Sequence, residues 1–186
     1  MQRRKLIAIL PAAFLLAFMV LPASSFSQSD ESASDLGWKR DPLGVLDDLI
    51  ELMRVTGKYY NVETAIADGY TEKPIDGVVC VQHEHHGAMG VHYLNPELVG
   101  DGEIVPLQPE VLLYEPTEDG LRLVGVEYFV PDTGQPHPWV LGRPLDGPNQ
   151  GLEPGMLVHY SLHAWIWEPN PSGMFVPYNP VVSCPS

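Results

Sequence analysis

Residues 158–184 read VHYSLHAWIWEPNPSGMFVPYNPVVSC, and this stretch decides the fold that the sequence predicts. Successive side chains of a β-strand point to opposite faces, so a strand over residues 158–167 divides its side chains into two sets. One set is Tyr160, Leu162, Ala164 and Ile166, and the other is His159, Ser161, His163, Trp165 and Trp167. Large side chains on both faces are typical of a strand covered on both sides. We therefore expect His163 to be enclosed, where its imidazole needs a partner.

The remainder of the chain predicts a single domain over residues 41–186. Apolar residues recur at three- and four-residue steps after Asp41, which indicates a helix, and a second short helix is expected from Val62 to Asp68. From Gly77 onward, glycine and proline separate short segments typical of β-strands. The predicted fold class is α+β, with two N-terminal helices packed on a mainly antiparallel β-sheet or a small β-barrel.

The first 27 residues have the pattern of an export signal. Arg3, Arg4 and Lys5 precede an apolar run over residues 6–21, and small residues follow it. We expect a signal peptide at residues 1–27, a flexible acidic tether at residues 28–40, and an extracytoplasmic location in a bacterial periplasm or outside the cell. A retained membrane anchor is the alternative. Once the signal is removed, no integral membrane segment is expected.

The charge balance restricts the partners. The chain has 24 acidic and 10 basic residues, a net charge of −14 at pH 7. Such an acidic protein is repelled by nucleic acid, so a nucleic-acid partner is excluded. The expected partner is a metal ion or a small molecule, and the sequence leaves the oligomeric state open.

Cys80 and Cys184 are the two cysteines of the chain. In an oxidising compartment they are expected to form a disulfide that closes a long loop. A thiolate metal ligand is the alternative, although neither cysteine lies in a Cys-x-x-Cys pair.

A hairpin is predicted around the turn at residues 117–120, because Asp119-Gly120 is a strong turn signal between two apolar segments. A two-residue turn and a four-residue loop are both compatible with it, and either register places Glu110 and Glu127 on one face. Glu127 lies in an otherwise apolar segment, where a glutamate needs compensation. Two neighbouring carboxylates repel each other unless they share a proton or a cation.

We therefore expect one metal site built from His92, Glu110, Glu127 and His163. Two imidazoles with one or two carboxylates are ligands for zinc, and they also suit copper, iron or manganese. The alternative has His92 and His163 as hydrogen-bonded core residues. The sequence leaves open whether the protein is an enzyme.

Two further groups of residues offer other functions. His83, His85 and His86 form a possible weak second metal cluster, or an exposed polar loop. The aromatic residues toward the C-terminus suggest a non-metal binding or structural module, with a pocket for a small ligand or a partner. They are Trp165, Trp167, Phe175 and Tyr178.

Three motifs and the hairpin between them resemble a group of small exported bacterial proteins of uncharacterised function. The motifs are MGVHYLNP at residues 89–96, HAWIWEPNPSGMF at residues 163–175 and NPVVSC at residues 179–184. The resemblance covers roughly residues 60–186. It implies export and a shared domain, and nothing about catalysis.

Overall fold

The computed structural model describes residues 42–75, 77–151 and 156–185, so the expected signal peptide (1–27) and tether (28–40) lie outside the described residues. The helices are α1 (Pro42–Thr56), α2 (Val62–Ala67) and α3 (Pro96–Asp101), with a 3-10 helix (Gly57–Tyr60) between the first two. The strands are β1 (Thr71–Glu72), β2 (Cys80–His83), β3 (Gly87–Leu94), β4 (Val111–Thr117), β5 (Gly120–Pro131), β6 (Trp139–Val140), β7 (Arg143–Pro144), β8 (Asp146–Asn149) and β9 (His159–Ala164).

One sheet dominates the described residues. Its order is β1-β3-β4-β5-β9-β8, and β2 lies beside β1 on the same edge of β3. Every strand pairing in this part of the chain is antiparallel, including the small β6–β7 ladder. A mainly antiparallel sheet with a few helices is thus confirmed. The sheet is not closed on itself, so of the two expected forms the structure has the sheet and not the small β-barrel.

The sheet separates two cores. The larger core lies on the helix face, where Leu112, Tyr128 and Leu162 of the strands pack with Leu52 of α1 and Ala65 of α2. The smaller core lies on the far face and consists of Ala88, Val111, Leu113, Val124, Trp165 and Val182. Because side chains alternate along each strand, the far face also receives the histidines of β3 and β9.

The β4–β5 hairpin contains a β-bulge that changes its faces. Near the turn, Pro116 pairs with Leu121, which is one of the two expected registers. Between Leu113 and Tyr114 the register shifts by one residue of β5, so Val111 lies opposite Glu127. A shift by one residue reverses which side chains share a face. The expectation that Glu110 and Glu127 share a face is therefore wrong.

Strand β9 ends at Ala164, three residues before the expected end at Trp167. The chain bends there, because the amides of Trp167 and Glu168 both donate to the carbonyl of Val124. Trp167 consequently packs against the larger core, on the face opposite to the expected one. Trp165 stays on the far face and donates its Nε1–H to the carbonyl of Val176 at 2.6 Å.

The C-terminal segment covers part of the far face. Asn179 exchanges two backbone hydrogen bonds with Ala88 of β3, and the Ser183 amide donates to the Glu115 carboxylate. The disulfide between Cys80 and Cys184 joins this segment to β2. The expected cysteine pairing is thus confirmed, and the thiolate-ligand alternative falls.

Candidate metal centre

Three strands bring His92, Glu127 and His163 together on the far face of the sheet. Glu127 of β5 lies directly opposite His163 of β9, and His92 comes from β3, two strands away from Glu127. Gly125 lies two residues before Glu127 on β5 and therefore on the same face of the sheet. As a glycine, it places no side chain on that face between β3 and β9, the strands of the two histidines. We call these three residues the triad.

The distances between the candidate ligand atoms of the triad are slightly longer than those around a bound metal ion. The Nε2 of His92 lies 3.7 Å from Oε2 of Glu127, and the Nε2 of His163 lies 3.9 Å from Oε1. One ligand atom from each residue can be chosen so that all lie within 4.8 Å of one another. Tetrahedral ligands at about 2 Å from an ion are roughly 3.3 Å apart, so shifts of about an ångström would close the site.

Burial leaves part of the triad without a partner. All three side chains are less than a tenth exposed. The Nε2 of His163 and the Nδ1 of His92 are buried without any hydrogen bond among the described residues. A buried polar atom in this state costs about 1–3 kcal/mol. A cation beside Glu127 would accept the lone pair of the His163 Nε2 and remove that cost.

The titration of the triad also suits a cation. Burial lowers the pKa of His92 and of His163 to about 4, so both imidazoles are neutral at pH 7 and their lone pairs are available. Burial raises the pKa of Glu127, whereas His92, His159 and the Ser161 hydroxyl favour the ionised carboxylate. Neutral imidazoles and one carboxylate form a ligand set that lacks its own counter-charge.

Among the described residues, the contacts of the arginines do not place one against the triad to supply this counter-charge. The guanidinium of Arg122 hydrogen-bonds the carboxylates of Glu115 and Glu168, and Arg143 lies over the ring of Phe175.

Glu110 is the one expected ligand that the structure does not bring to the site. Its carboxylate lies on the helix face and accepts a hydrogen bond from the Phe129 amide at 3.0 Å. Burial raises its pKa to about 8, so it is largely protonated at pH 7. The β-bulge at Leu113 and Tyr114 is the physical reason, because it rotates Glu110 and Glu127 to opposite faces.

The triad opens into a cavity of about 530 Å³. The β3–β4 side of the cavity wall is apolar and includes Leu94 and Val111, and Phe129 of β5 continues it. The β8–β9 side carries polar side chains from Asp146, Asn149, His159 and Ser161, and Met156 and Leu157 also line it. An ion held by the triad would therefore keep a coordination position that faces the cavity.

His159 and Asp146 are among the wall residues that sequence reasoning did not assign to a site. His159 alternates with His163, so the strand pattern already placed it on the same face, where its ring stacks on Phe129 at 4.4 Å between centroids. Asp146 gave no signal, because it reaches the cavity only through the pairing of β8 with β9.

The second histidine cluster is an exposed group of rings in tilted and edge-on contact. The rings of His83 and His86 are 4.3 Å apart, and Tyr178 lies against both. His83 also accepts a hydrogen bond from the His85 amide through Nδ1. Among the described residues, the group that brings three ligand atoms within reach of one ion is the triad, and this cluster does not do so.

The C-terminal aromatic residues do not form a shared pocket. Trp165 is buried in the smaller core, Trp167 packs on the larger core, and Tyr178 contacts His83. Apart from histidines, Phe129 is the aromatic residue among the described residues that line the cavity. The expected aromatic wall is therefore wrong in its residues, although a cavity is present.

Fold and site together define an antiparallel β-sheet protein with a buried His/Glu/His group that could hold a metal ion. Comparison of the chain with family models, with curated proteins and with solved structures finds no match. Within the described ranges, no helix combines the length and the apolar character that a membrane span requires.

Proposed function

We propose that this protein binds one divalent transition metal ion through His92, Glu127 and His163. The observation that carries the proposal is the Nε2 of His163, which is buried, has no hydrogen-bond partner in the described part of the chain and lies 3.9 Å from the Glu127 carboxylate. A bound ion pairs with the carboxylate and occupies the lone pair of this nitrogen at the same time.

Zinc is the first candidate ion. Two imidazoles and one carboxylate leave at least one coordination position for water or another ligand. The same set also suits iron(II), and copper or manganese are further candidates. An ion with an open position can act as a Lewis acid.

The proposal places this metal site in an exported protein. Residues 1–27 act as a signal peptide, residues 28–40 as a tether, and residues 41–186 as one α+β domain with two N-terminal helices packed on the sheet. The Cys80–Cys184 disulfide is consistent with an extracytoplasmic location. The resemblance to small exported bacterial proteins supports the same location.

A non-metal binding module is the second candidate function. It is favoured by the cavity, whose apolar wall at Leu94, Val111 and Phe129 suits a small apolar molecule. In that case no metal ion would offset the charge of Glu127, and burial would favour its protonated form.

Metal analysis separates the two candidates. The full chain, purified without a histidine tag and equilibrated with Zn²⁺, is expected to retain one ion per chain by mass spectrometry. His163→Ala is expected to lose it. A variant with His83, His85 and His86 all replaced by alanine is the matched control and should retain it. Absence of stoichiometric zinc from the unmodified chain would contradict the proposal. Zinc that is retained by His163→Ala but lost from the triple alanine variant would contradict it as well.

A further inference from the structure

Trp165 packs beside the imidazole of His163. It follows His163 by two residues on the far face of the sheet, and the two rings are stacked with 6.3 Å between their centroids and 24° between their planes. The side chain of Trp165 is 2% exposed and lies over Gly125, where an added Cβ would be 3.3 Å from the Cε3 of the indole. A buried indole therefore bounds one side of the ring that carries the proposed metal site.

The C-terminal segment fixes the position of this indole. The Nε1–H of Trp165 donates to the carbonyl of Val176 at 2.6 Å, and the backbone amide of Trp165 donates to the carbonyl of Met174 at 3.0 Å. Val182 of the same segment is buried with Trp165 in the smaller core. The position of the indole thus depends on how firmly residues 174–184 are held on the sheet.

The same segment is anchored to the strands on the other side of the triad. Asn179 exchanges two backbone hydrogen bonds, of 3.0 and 3.1 Å, with Ala88 of β3. The disulfide joins Cys184 to Cys80 of β2, and β2 is paired with β3. Since β3 also carries the first histidine of the triad, the disulfide links the support of one histidine to the strand of the other.

We propose that Trp165 is a positioning residue for the metal ligand His163, and that the Cys80–Cys184 disulfide sets the zinc affinity of the triad by holding residues 174–184 against Trp165. The inference rests on the proposed metal site and names what controls its affinity. Packing that holds a ligand ring in its binding orientation reduces the entropy lost when the ion binds. Residues that orient metal ligands contribute about 10- to 100-fold to metal affinity.

Chelator competition for zinc on the folded full chain tests the role of Trp165. Trp165→Leu removes the flat ring and the Nε1–H donor, so zinc affinity is expected to fall about tenfold or more. Trp165→Phe keeps a flat ring beside His163 and is expected to restore most of the affinity. In Co²⁺-loaded protein, Trp165→Leu should also change the visible absorption spectrum, which reports the geometry of the ligands.

Replacement of Cys80 and Cys184 by alanine tests the role of the disulfide. Zinc affinity is expected to fall about tenfold, because noncovalent contacts alone then hold residues 174–184. Since the disulfide acts through Trp165, Trp165→Leu in the cysteine variant should lower the affinity no further than Trp165→Leu alone.

Leu52→Ala is the matched control for loss of stability. Leu52 is fully buried in the larger core, on the opposite face of the sheet. This variant should therefore be less stable than the parent and bind zinc with unchanged affinity.

The outcomes separate this inference from the proposed function. A parent chain that does not load zinc contradicts the proposed function, and the inference falls with it. A parent that loads zinc no more tightly than Trp165→Leu or the cysteine variant contradicts the inference alone. Additive losses in the combined variant, or an equal loss in Leu52→Ala, would overturn it as well. The cysteine variant keeps Trp165, so it decides the matter even if Trp165→Leu does not fold.

Discussion

Glu110 and Glu127 are buried glutamates of one hairpin, and their surroundings give them different roles. Glu110 accepts a hydrogen bond from the Phe129 amide on the helix face. Glu127 faces the two imidazoles of the triad on the far face. Burial raises the pKa of both carboxyls. For Glu110, protonation resolves the cost of burial, whereas a cation can do so for Glu127.

Glu110→Gln is expected to change how stability depends on pH. The folded pKa of Glu110 is about 8 against an ordinary 4.5, so its contribution is fully present below pH 4.5 and is lost as the pH rises through 8. Glutamine keeps an acceptor for the Phe129 amide and carries no charge. Urea unfolding at pH 4 should give the same free energy for variant and parent, and at pH 9 the variant should be more stable by a few kcal/mol. An identical difference at both pH values would contradict the assignment.

Glu127→Gln is expected to separate stability from metal binding. The substitution removes a charge that is costly to bury in the metal-free protein, so the metal-free variant should be as stable as its parent or more stable at pH 7. It also removes the anionic ligand, so zinc affinity should fall by more than roughly 100-fold. Loss of a residue that only hydrogen-bonds a metal ligand costs up to about 100-fold, and loss of the ligand itself should cost more. Competition with a zinc chelator measures this, with Glu110→Gln as the control that should retain zinc. Unchanged affinity in Glu127→Gln would exclude the carboxylate as a ligand.

At the scale of elements, the pairing of β4 with β5 decides which side chains meet. The alternation of β9 predicted correctly that His159, Ser161 and His163 share a face, since period-two patterning is local. The bulge between Leu113 and Tyr114 could not be predicted. The position of one extra residue in a strand depends on packing between strands, and no local sequence pattern indicates it here. For this reason the position of Glu127 was expected and the position of Glu110 was not.

Gly90→Ala tests the close approach of β3 and β4 beside the triad. Gly90 has a φ of +90°, and a Cβ there would lie 2.4 Å from the backbone oxygen of Tyr114. The strands would have to separate, and the left-handed backbone would be strained. We expect a loss of about 3 kcal/mol or more in the free energy of unfolding.

Gly100→Ala in α3 is the control for this substitution. A Cβ at Gly100 meets no atom within 4 Å, so this variant should change stability by less than about 1 kcal/mol or increase it. Urea unfolding compares both variants with the parent. Equal effects of the two substitutions would show that β3 and β4 are not so closely packed at this point.

At the scale of the whole molecule, the C-terminal segment completes the far face. It pairs with β3 at Ala88 and is joined to β2 by the Cys80–Cys184 disulfide. The sequence predicted this disulfide because two cysteines in a chain that is expected to be exported have one possible pairing. It could not predict that Asp146 reaches the cavity, since β8 joins the sheet beside β9 after an intervening β6–β7 ladder. Local patterns thus indicated the strands and the histidines, while the walls of the cavity depend on contacts distant in sequence.

Replacement of both cysteines by alanine is expected to lower the free energy of unfolding by about 3–5 kcal/mol, because the disulfide closes a loop with a sequence separation of 104. Chemical denaturation of parent and variant, each with and without a reductant, measures this. Reductant should destabilise the parent and leave the variant unchanged. Equal stability of the oxidised parent and the variant would contradict a structural role for the bond.

The most direct measurement is anomalous diffraction at the zinc edge from crystals of the zinc-loaded protein. The account predicts one strong peak about 2.0–2.2 Å from an imidazole nitrogen of His92, a carboxylate oxygen of Glu127 and the Nε2 of His163. A peak at the exposed His83, His85 and His86 with none at the triad, or no peak at all, would contradict it.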